Sequence, residues 1–189
     1  MLIISQNATD YDLIFPKDAI LRINLAWCNS LDELEIILKK NSDYGIFIDL
    51  PIGRLKPPNN RYTLNEIIPI LKNYNNIKYF AVSNVDDDVD LDDFVNSVPK
   101  NITIVPKIES PNGVKNIENI SELLPNEKLV MLDHDDLFSA LTKLAEPPSN
   151  FKNYINELVE FCKENNITLL RTIGVIFSDE EKRITEYIN

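Results

Sequence analysis

The chain has 189 residues, 44% hydrophobic and 26% charged, which is enough for one domain with a sizeable buried core. Its formal net charge of −11 works against nucleic acid and against anionic membrane surfaces, because binding to either comes largely from clustered Lys and Arg. A small anionic substrate stays open, since only the local sign of a pocket matters for it.

Leu2–Ser5 reads as a first strand, and Ala19–Trp27 as a second. Asn29-Ser30 then predicts a helix over Leu31–Lys39, with Glu33 three residues after Ser30 in a capping-box pattern. Tyr44–Leu50 is the next strand, leading into the Pro-rich loop Pro51–Pro58. A helix is expected over Thr63–Asn73 and a strand over Ile77–Ser83. The acidic run from Asp86 to Asp93 could be a cation cage. Its simpler reading is a loop and a helix N-terminus, where carboxylates meet the dipole, since EF-hand spacing is missing.

Asn101–Glu109 is a strand, and Val114–Leu124 carries apolar residues at helical spacing. Lys128–Asp133 is the following strand, then helices are expected over Asp136–Leu144 and Phe151–Asn165. Ile167–Phe177 predicts the last strand, and Asp179–Tyr187 a terminal helix. Strands alternating with helices are the signature of parallel βαβ units. About seven strands are visible and no eighth, so the expected fold is α/β, a reduced or incomplete TIM-type barrel in a single domain. Its open edges would favour self-association as a homo-oligomer.

No apolar run is long enough to span a bilayer, and Met1–Ser5 lacks the basic and long apolar regions of a signal peptide. Cys28 and Cys162 lack metal-ligand spacing and suit a reducing, cytoplasmic setting. With His134 the only histidine, a zinc site is not expected.

The chemistry gathers at two strand ends. Lys107 and Glu109 are two residues apart and so share a face of their strand. Val130–Leu132 answers with Asp133, His134, Asp135 and Asp136 at its own tip. In parallel α/β architectures this end of the strands is where ligands bind.

Taken together, these segments resemble the barrel of pyruvate kinase, within the wider superfamily of phosphoenolpyruvate- and pyruvate-handling barrels that includes citrate lyase β-subunits and HpcH/HpaI aldolases. The resemblance covers roughly Ile20 to Thr172. Arg22-Ile23-Asn24 is similar to the Arg-x-Asn strand of both groups, and Asp49-Leu50 with Pro51–Lys56 to the kinase Asp-Leu-x-Gly-Pro-Lys-Ile-Arg stretch. Ala81–Val85 resembles Ala-x-Ser-Phe-Val, and Pro106–Ile120 resembles Lys-Ile-Glu-Asn-x-x-Gly-x-x-Asn-x-x-Glu-Ile. Leu132–Leu137 looks more like the lyase ending Gly-x-x-Asp-Leu, and Thr172 falls where kinases place an active-site threonine.

The resemblance implies a divalent cation, Mg²⁺ or Mn²⁺, between Glu109 and Asp136. The ion would act as a Lewis acid on the enolate of pyruvate, phosphoenolpyruvate or a related 2-keto acid. Lys107 would add a second positive charge beside that enolate, Arg22 would hold a carboxylate or phosphate, and Thr172 would complete the catalytic set. Asn24, Asp49, Ser83 and His134 would line the substrate cavity. The expected activity is that of a metal-dependent carbon–carbon lyase or aldolase. The kinase reaction ranks lower, because no nucleotide-covering domain is inserted between Lys56 and Thr63 and no regulatory domain follows.

Each assignment has a plainer counterpart. Glu109 could simply pair with Lys107, Asp136 could cap its helix, Arg22 could be satisfied by Asp49, and His134 could be an exposed loop residue. The chain also departs from the family pattern. Ala26 and Trp27 stand where kinases have Ser and His, and Lys56 replaces an arginine. Asp133 and Asp135 occupy glycine positions. Those departures keep a second reading in play: a catalytically degenerate barrel serving as a binding or scaffold module.

Overall fold

The computed structural model describes residues 3–5, 15–54, 57–125, 127–171, 175–177 and 183–185. Seven strands lie side by side in chain order: β1 (Ile3–Ser5), β2 (Ile20–Asn24), β3 (Gly45–Leu50), β4 (Ile77–Val82), β5 (Thr103–Ile108), β6 (Leu129–Leu132) and β7 (Thr168–Arg171). Every pairing among them is parallel. The result is a half-barrel, with β1 and β7 at its two edges.

Side-chain alternation sorts these strands into two layers. Residues such as Leu21, Ile23, Ile48, Phe80, Ile108 and Leu132 belong to one large apolar cluster. It also takes in the buried sides of the helices, among them Leu34 and Leu38, Ile67 and Leu71, Leu137 and Leu141. The intervening positions, Phe47, Ala81, Val105, Leu129 and Met131, form a second cluster made of strand residues alone, with Ile3, Ile20, Tyr79 and Leu170 against it. The helices therefore cover one face, and the second cluster fills the inner face. Further along the same inner positions, toward the C-terminal strand ends, the residues turn polar: Asp49 on β3, Ser83 after β4, Lys107 and Glu109 at the end of β5.

Among the described residues seven α-helices connect the strands: α1 (Leu31–Lys40), α2 (Leu64–Asn73), α3 (Asp92–Ser97), α4 (Pro111–Lys115), α5 (Ile117–Glu122), α6 (His134–Lys143) and α7 (Asn150–Glu164). Their starts follow local chemistry. Thr63 and Glu66 form a reciprocal capping box on α2. At α1 the box is only half made: Ser30 accepts from the Glu33 N–H, while the Glu33 carboxylate accepts from the N–H and side chain of Asn29. Ser110 caps α4, with Pro111 following at its first turn.

Several expected boundaries are corrected. The strand from Ala19 stops at Asn24, because the Asn24 side chain accepts from Ala26 N and turns Leu25–Trp27 into a 3-10 turn. The single helix expected over Val114–Leu124 is two, divided at Asn116. The acidic run forms a 3-10 turn at Asp88–Leu91 leading into α3, as its loop-and-helix-start reading implies. The last strand ends at Arg171. Val175–Phe177 (β8) instead pairs antiparallel with Arg183–Thr185 (β9), where a helix is expected from the charged residues around it. None of the described helices is long and apolar enough to cross a membrane.

Candidate active site at the C-terminal strand ends

A cavity of about 480 Å³ opens at the C-terminal ends of β3 to β6. Its floor is formed by Asn24, Ser83, Asn84, Lys107 and Glu109. The loop Pro51–Arg54 makes one wall, and α6 makes the other through Asp136, Ser139, Ala140, Lys143 and Leu144. Of the residues expected to act together, the fold brings Lys107, Glu109, Asp136, Asn24 and Ser83 to this one cavity.

Lys107 is buried and surrounded by acceptors. Its Nζ lies 2.7 Å from Glu109 Oε1 and 3.5 Å from Asp49 Oδ2, and it donates to Ser83 Oγ at 3.1 Å. Burial alone would push its pKa down, but the carboxylates of Asp49 and Glu109 outweigh that and hold it above the ordinary lysine value. Lys107 is therefore a fixed ammonium. Glu109 is buried as well, and desolvation raises its pKa against the pull of Lys107.

Glu109 Oε2 accepts the backbone N–H of Asn84 at 2.8 Å. Its Oε1 makes a close ion pair with Lys107 but no well-aligned hydrogen bond, which leaves that oxygen with acceptor capacity to spare. Asn84 adopts a left-handed backbone conformation (φ 55°), which asparagine tolerates better than most residues. From there its side chain also bonds Ile52 O, tying the loop wall to the floor. Gly53 in that loop has φ 68° and sits against the Asn84 side chain.

Carboxylate oxygens of Glu109, Asp133 and Asp136 all come within 4.8 Å of one another. Three hard oxygen donors at this spacing suit a divalent cation of the Mg²⁺, Mn²⁺ or Ca²⁺ type. Asp133 also caps α6 by accepting from Asp136 N at 3.3 Å. That bond starts the helix at His134 and turns the Asp136 side chain into the cavity wall. In the sequence Asp133 stands both at the acidic tip of its strand and at a glycine position of the family pattern. Its signal was the alternation itself, because Asp133 is two residues beyond the inner-facing Met131. Asn84 carries no such signal, because nothing in the residue type announces a backbone N–H donor to Glu109.

Other expected residues lie elsewhere. Arg22 does not face the cavity. Its Nε donates to Asp49 Oδ2 at 3.0 Å and its Nη2 pairs with the same oxygen, which is the internal salt-bridge alternative. Asp49 is fully buried, serves both Arg22 and Lys107 through Oδ2, and has no hydrogen bond on Oδ1. His134 is neither a cavity residue nor an exposed loop histidine. It is buried in the first turn of α6, edge-on to the Phe151 ring and 3.3 Å from Arg171 Nη2. Desolvation, then the Arg171 charge, lower its pKa, so it is a neutral packing residue. Trp27 is half exposed. Thr172 and Lys56 lie outside the described residues.

No protein-family model matches the chain, and no curated protein does. Among solved structures, the crystal structure of RipC from Yersinia pestis is similar, with a TM-score of 0.62 at 14% identity, covering 94% of this chain and 77% of that one. Likeness at that identity shows a shared fold, and the roles of individual residues rest on their geometry.

Proposed function

We propose that the half-barrel is a reduced TIM-type barrel and that its cavity carries out metal-dependent enolate chemistry on a 2-keto acid such as pyruvate, as a carbon–carbon lyase or aldolase. The observation that carries this reading is the juxtaposition of a buried ammonium, Lys107, with the three-carboxylate cluster Glu109, Asp133 and Asp136, of which Glu109 and Asp136 line the same cavity as Lys107. A divalent cation held by those carboxylates, Mg²⁺ or Mn²⁺ for preference, would supply Lewis-acid polarisation of a keto group. Lys107, charged and immobile, supplies a fixed positive potential beside the oxygen on which charge develops, at no cost of reorganisation. Ser83 holds the Lys107 ammonium in place, and Asn84 orients Glu109 through its N–H. Asp49 and Arg22 act behind the cavity by balancing the charge of Lys107.

Calorimetric titration of Mn²⁺ and Mg²⁺ into the protein and into Glu109→Gln and Asp136→Asn, followed by detritiation of labelled pyruvate with metal present, tests the reading. Saturable binding that both substitutions weaken, with metal-dependent exchange, supports it. Identical weak binding in all three proteins and no exchange across a panel of keto acids would leave the fold as a binding or scaffold module.

A further inference from the structure

Among the described residues, the carboxylate side chains that line the cavity are Glu109, Asp136 and Asp86. The first two belong with Asp133 to the cluster that could hold a cation, and Asp86 stands outside it. The acidic run that begins at Asp86 divides by task. Asp87 and Asp90 cap the 3-10 turn, Asp90 by accepting the N–H groups of Asp86 and Asp87. Asp92 and Asp93 fall in the first turn of α3. Asp86 is the member of the run that lines the cavity. Its main chain is held on both sides: the N–H donates to Asp90 Oδ2 at 2.8 Å, and the carbonyl accepts from Asn116 Nδ2 at 2.8 Å. Its side chain is held as well, because Ser110 Oγ donates to Asp86 Oδ1. The Ser110 oxygen itself accepts from Gly113 N at 3.1 Å, which leaves its one proton for Asp86. Oδ1 is thereby an acceptor, and Oδ2 makes no hydrogen bond among the described residues, so its lone pairs are available. The chain from Asn84 runs beside the end of β5, with Asn84 N–H on Glu109 Oε2 and Val85 N–H on Lys107 O. That register sets Asp86 beside Ser110, one residue past Glu109.

We infer that Asp86 is the general base of the cavity, the group that takes a proton from the carbon next to the keto group. The inference rests on the enolate reading of the site and supplies the proton acceptor that this reading does not name. As the C–H bond breaks, an O–H bond forms on Asp86 Oδ2. The C–H electron pair becomes the C=C bond of the enolate, and the carbonyl π pair moves onto its oxygen, in the field of the Lys107 ammonium. In the reverse step, or after a C–C cleavage that leaves the enolate, Asp86 returns a proton to carbon. No oxidant or further reactant enters. Glu109 is poorly placed for this work, since its Oε1 faces Lys107 at 2.7 Å and its Oε2 is taken by Asn84. On the same reading Glu109 and Asp136 also face the cation, whose charge lowers their basicity. Ser110 is a positioning residue, which fixes the Asp86 carboxylate through Oδ1.

The test follows proton exchange and metal binding separately. Detritiation of pyruvate labelled on its methyl group is measured with Mn²⁺ in the protein, in Asp86→Asn and in Asp86→Ala, and calorimetry gives the Mn²⁺ affinity of each. Asparagine keeps an oxygen for the Ser110 hydroxyl but cannot serve as a base. A general base is worth about 10²–10⁴-fold in rate, so exchange should fall by that factor in Asp86→Asn while Mn²⁺ affinity is unchanged. In Asp86→Ala, added formate, a carboxylate small enough for the vacated space, should restore part of the exchange. A side chain that only braced its loop would not respond to formate. Three results would overturn the base and leave the enolate reading standing: exchange near the unaltered rate in Asp86→Asn, a loss matched by an equal loss of Mn²⁺ affinity, or no recovery with formate. No exchange from any keto acid in the unaltered protein would instead remove the enolate reading, and the base with it.

Discussion

Lys107 and Glu109, two residues apart on one strand, form an ion pair of 2.7 Å between Nζ and Oε1, both side chains being almost wholly out of solvent. The ammonium that would face an enolate therefore also repels any cation that Glu109 helps to hold. These two effects separate on substitution. In Lys107→Met, loss of the neighbouring charge should tighten Mn²⁺ binding by about tenfold, while metal-dependent exchange of pyruvate protons disappears. Calorimetry and detritiation read the two outcomes independently. Weaker Mn²⁺ binding in the variant would show that the carboxylates do not meet at a common ion.

Asp49 is the counter-charge for two cations at once, Arg22 and Lys107, both through Oδ2. Truncating it leaves the buried ammonium with Glu109 alone. Breaking a buried pair by removing one partner costs about 3–5 kcal/mol, so Asp49→Ala should be destabilised by that order in urea unfolding. Arg22→Met should cost less, because the Arg22 side chain retains partial solvent contact. A loss for Asp49→Ala below that of Arg22→Met would place the stabilising role elsewhere.

Gly113 sits where α4 approaches the chain after β4. A Cβ there would lie 2.6 Å from the Val85 backbone oxygen and 3.3 Å from Ile108 Cγ2. Helix propensity alone would make Gly113→Ala stabilising by about 1 kcal/mol. The contact with a backbone oxygen, which cannot swing aside, reverses the sign, and a net loss of about 1–3 kcal/mol is expected. Because Ser110 caps the same helix and lines the cavity, metal binding should weaken in parallel. Urea unfolding of the variant decides the sign.

Strand content and order were legible because each strand is a short apolar run and its period-two pattern sets which side chains face inward. That placed Lys107 and Glu109 on one face from the sequence alone. What escaped depended on contacts between distant segments. The Arg22–Asp49 bond spans 27 residues, and the sequence leaves Arg22 a choice between Asp49 and a substrate anion. Asp133 stands at a glycine position of the family pattern, and only the fold brings its oxygen beside those of Glu109 and Asp136. At the other end of the chain, Glu180–Arg183 has helix-forming composition, yet Arg183–Thr185 takes its conformation from pairing with Val175–Phe177, a case of a sheet partner overriding local propensity.

The two thiols give a prediction that is independent of the cavity. Cys28 and Cys162 are both buried and unpaired. Burial pushes each to about 11, with the Glu33 charge adding to the effect at Cys28. An ordinary thiol ionises near about 8.5. The folded protein thus holds protons that the unfolded chain releases, and the sign follows from linkage. The contribution is fully present below about pH 8.5 and is lost as pH rises through about 11. Stability should therefore decline across that window. The decline should be shallower in the Cys28→Ala and Cys162→Ala variants, which no longer carry the shifted group, although each will start from a lower plateau because a buried side chain is truncated. In the native protein at pH 8, where the reactive thiolate is scarce and shielded, labelling by an aromatic disulfide should be slow for both residues and become fast for both in denaturant. Rapid labelling of either one under native conditions would show that its covering layer opens without global unfolding, and would move that thiol out of the apolar layer between sheet and helices.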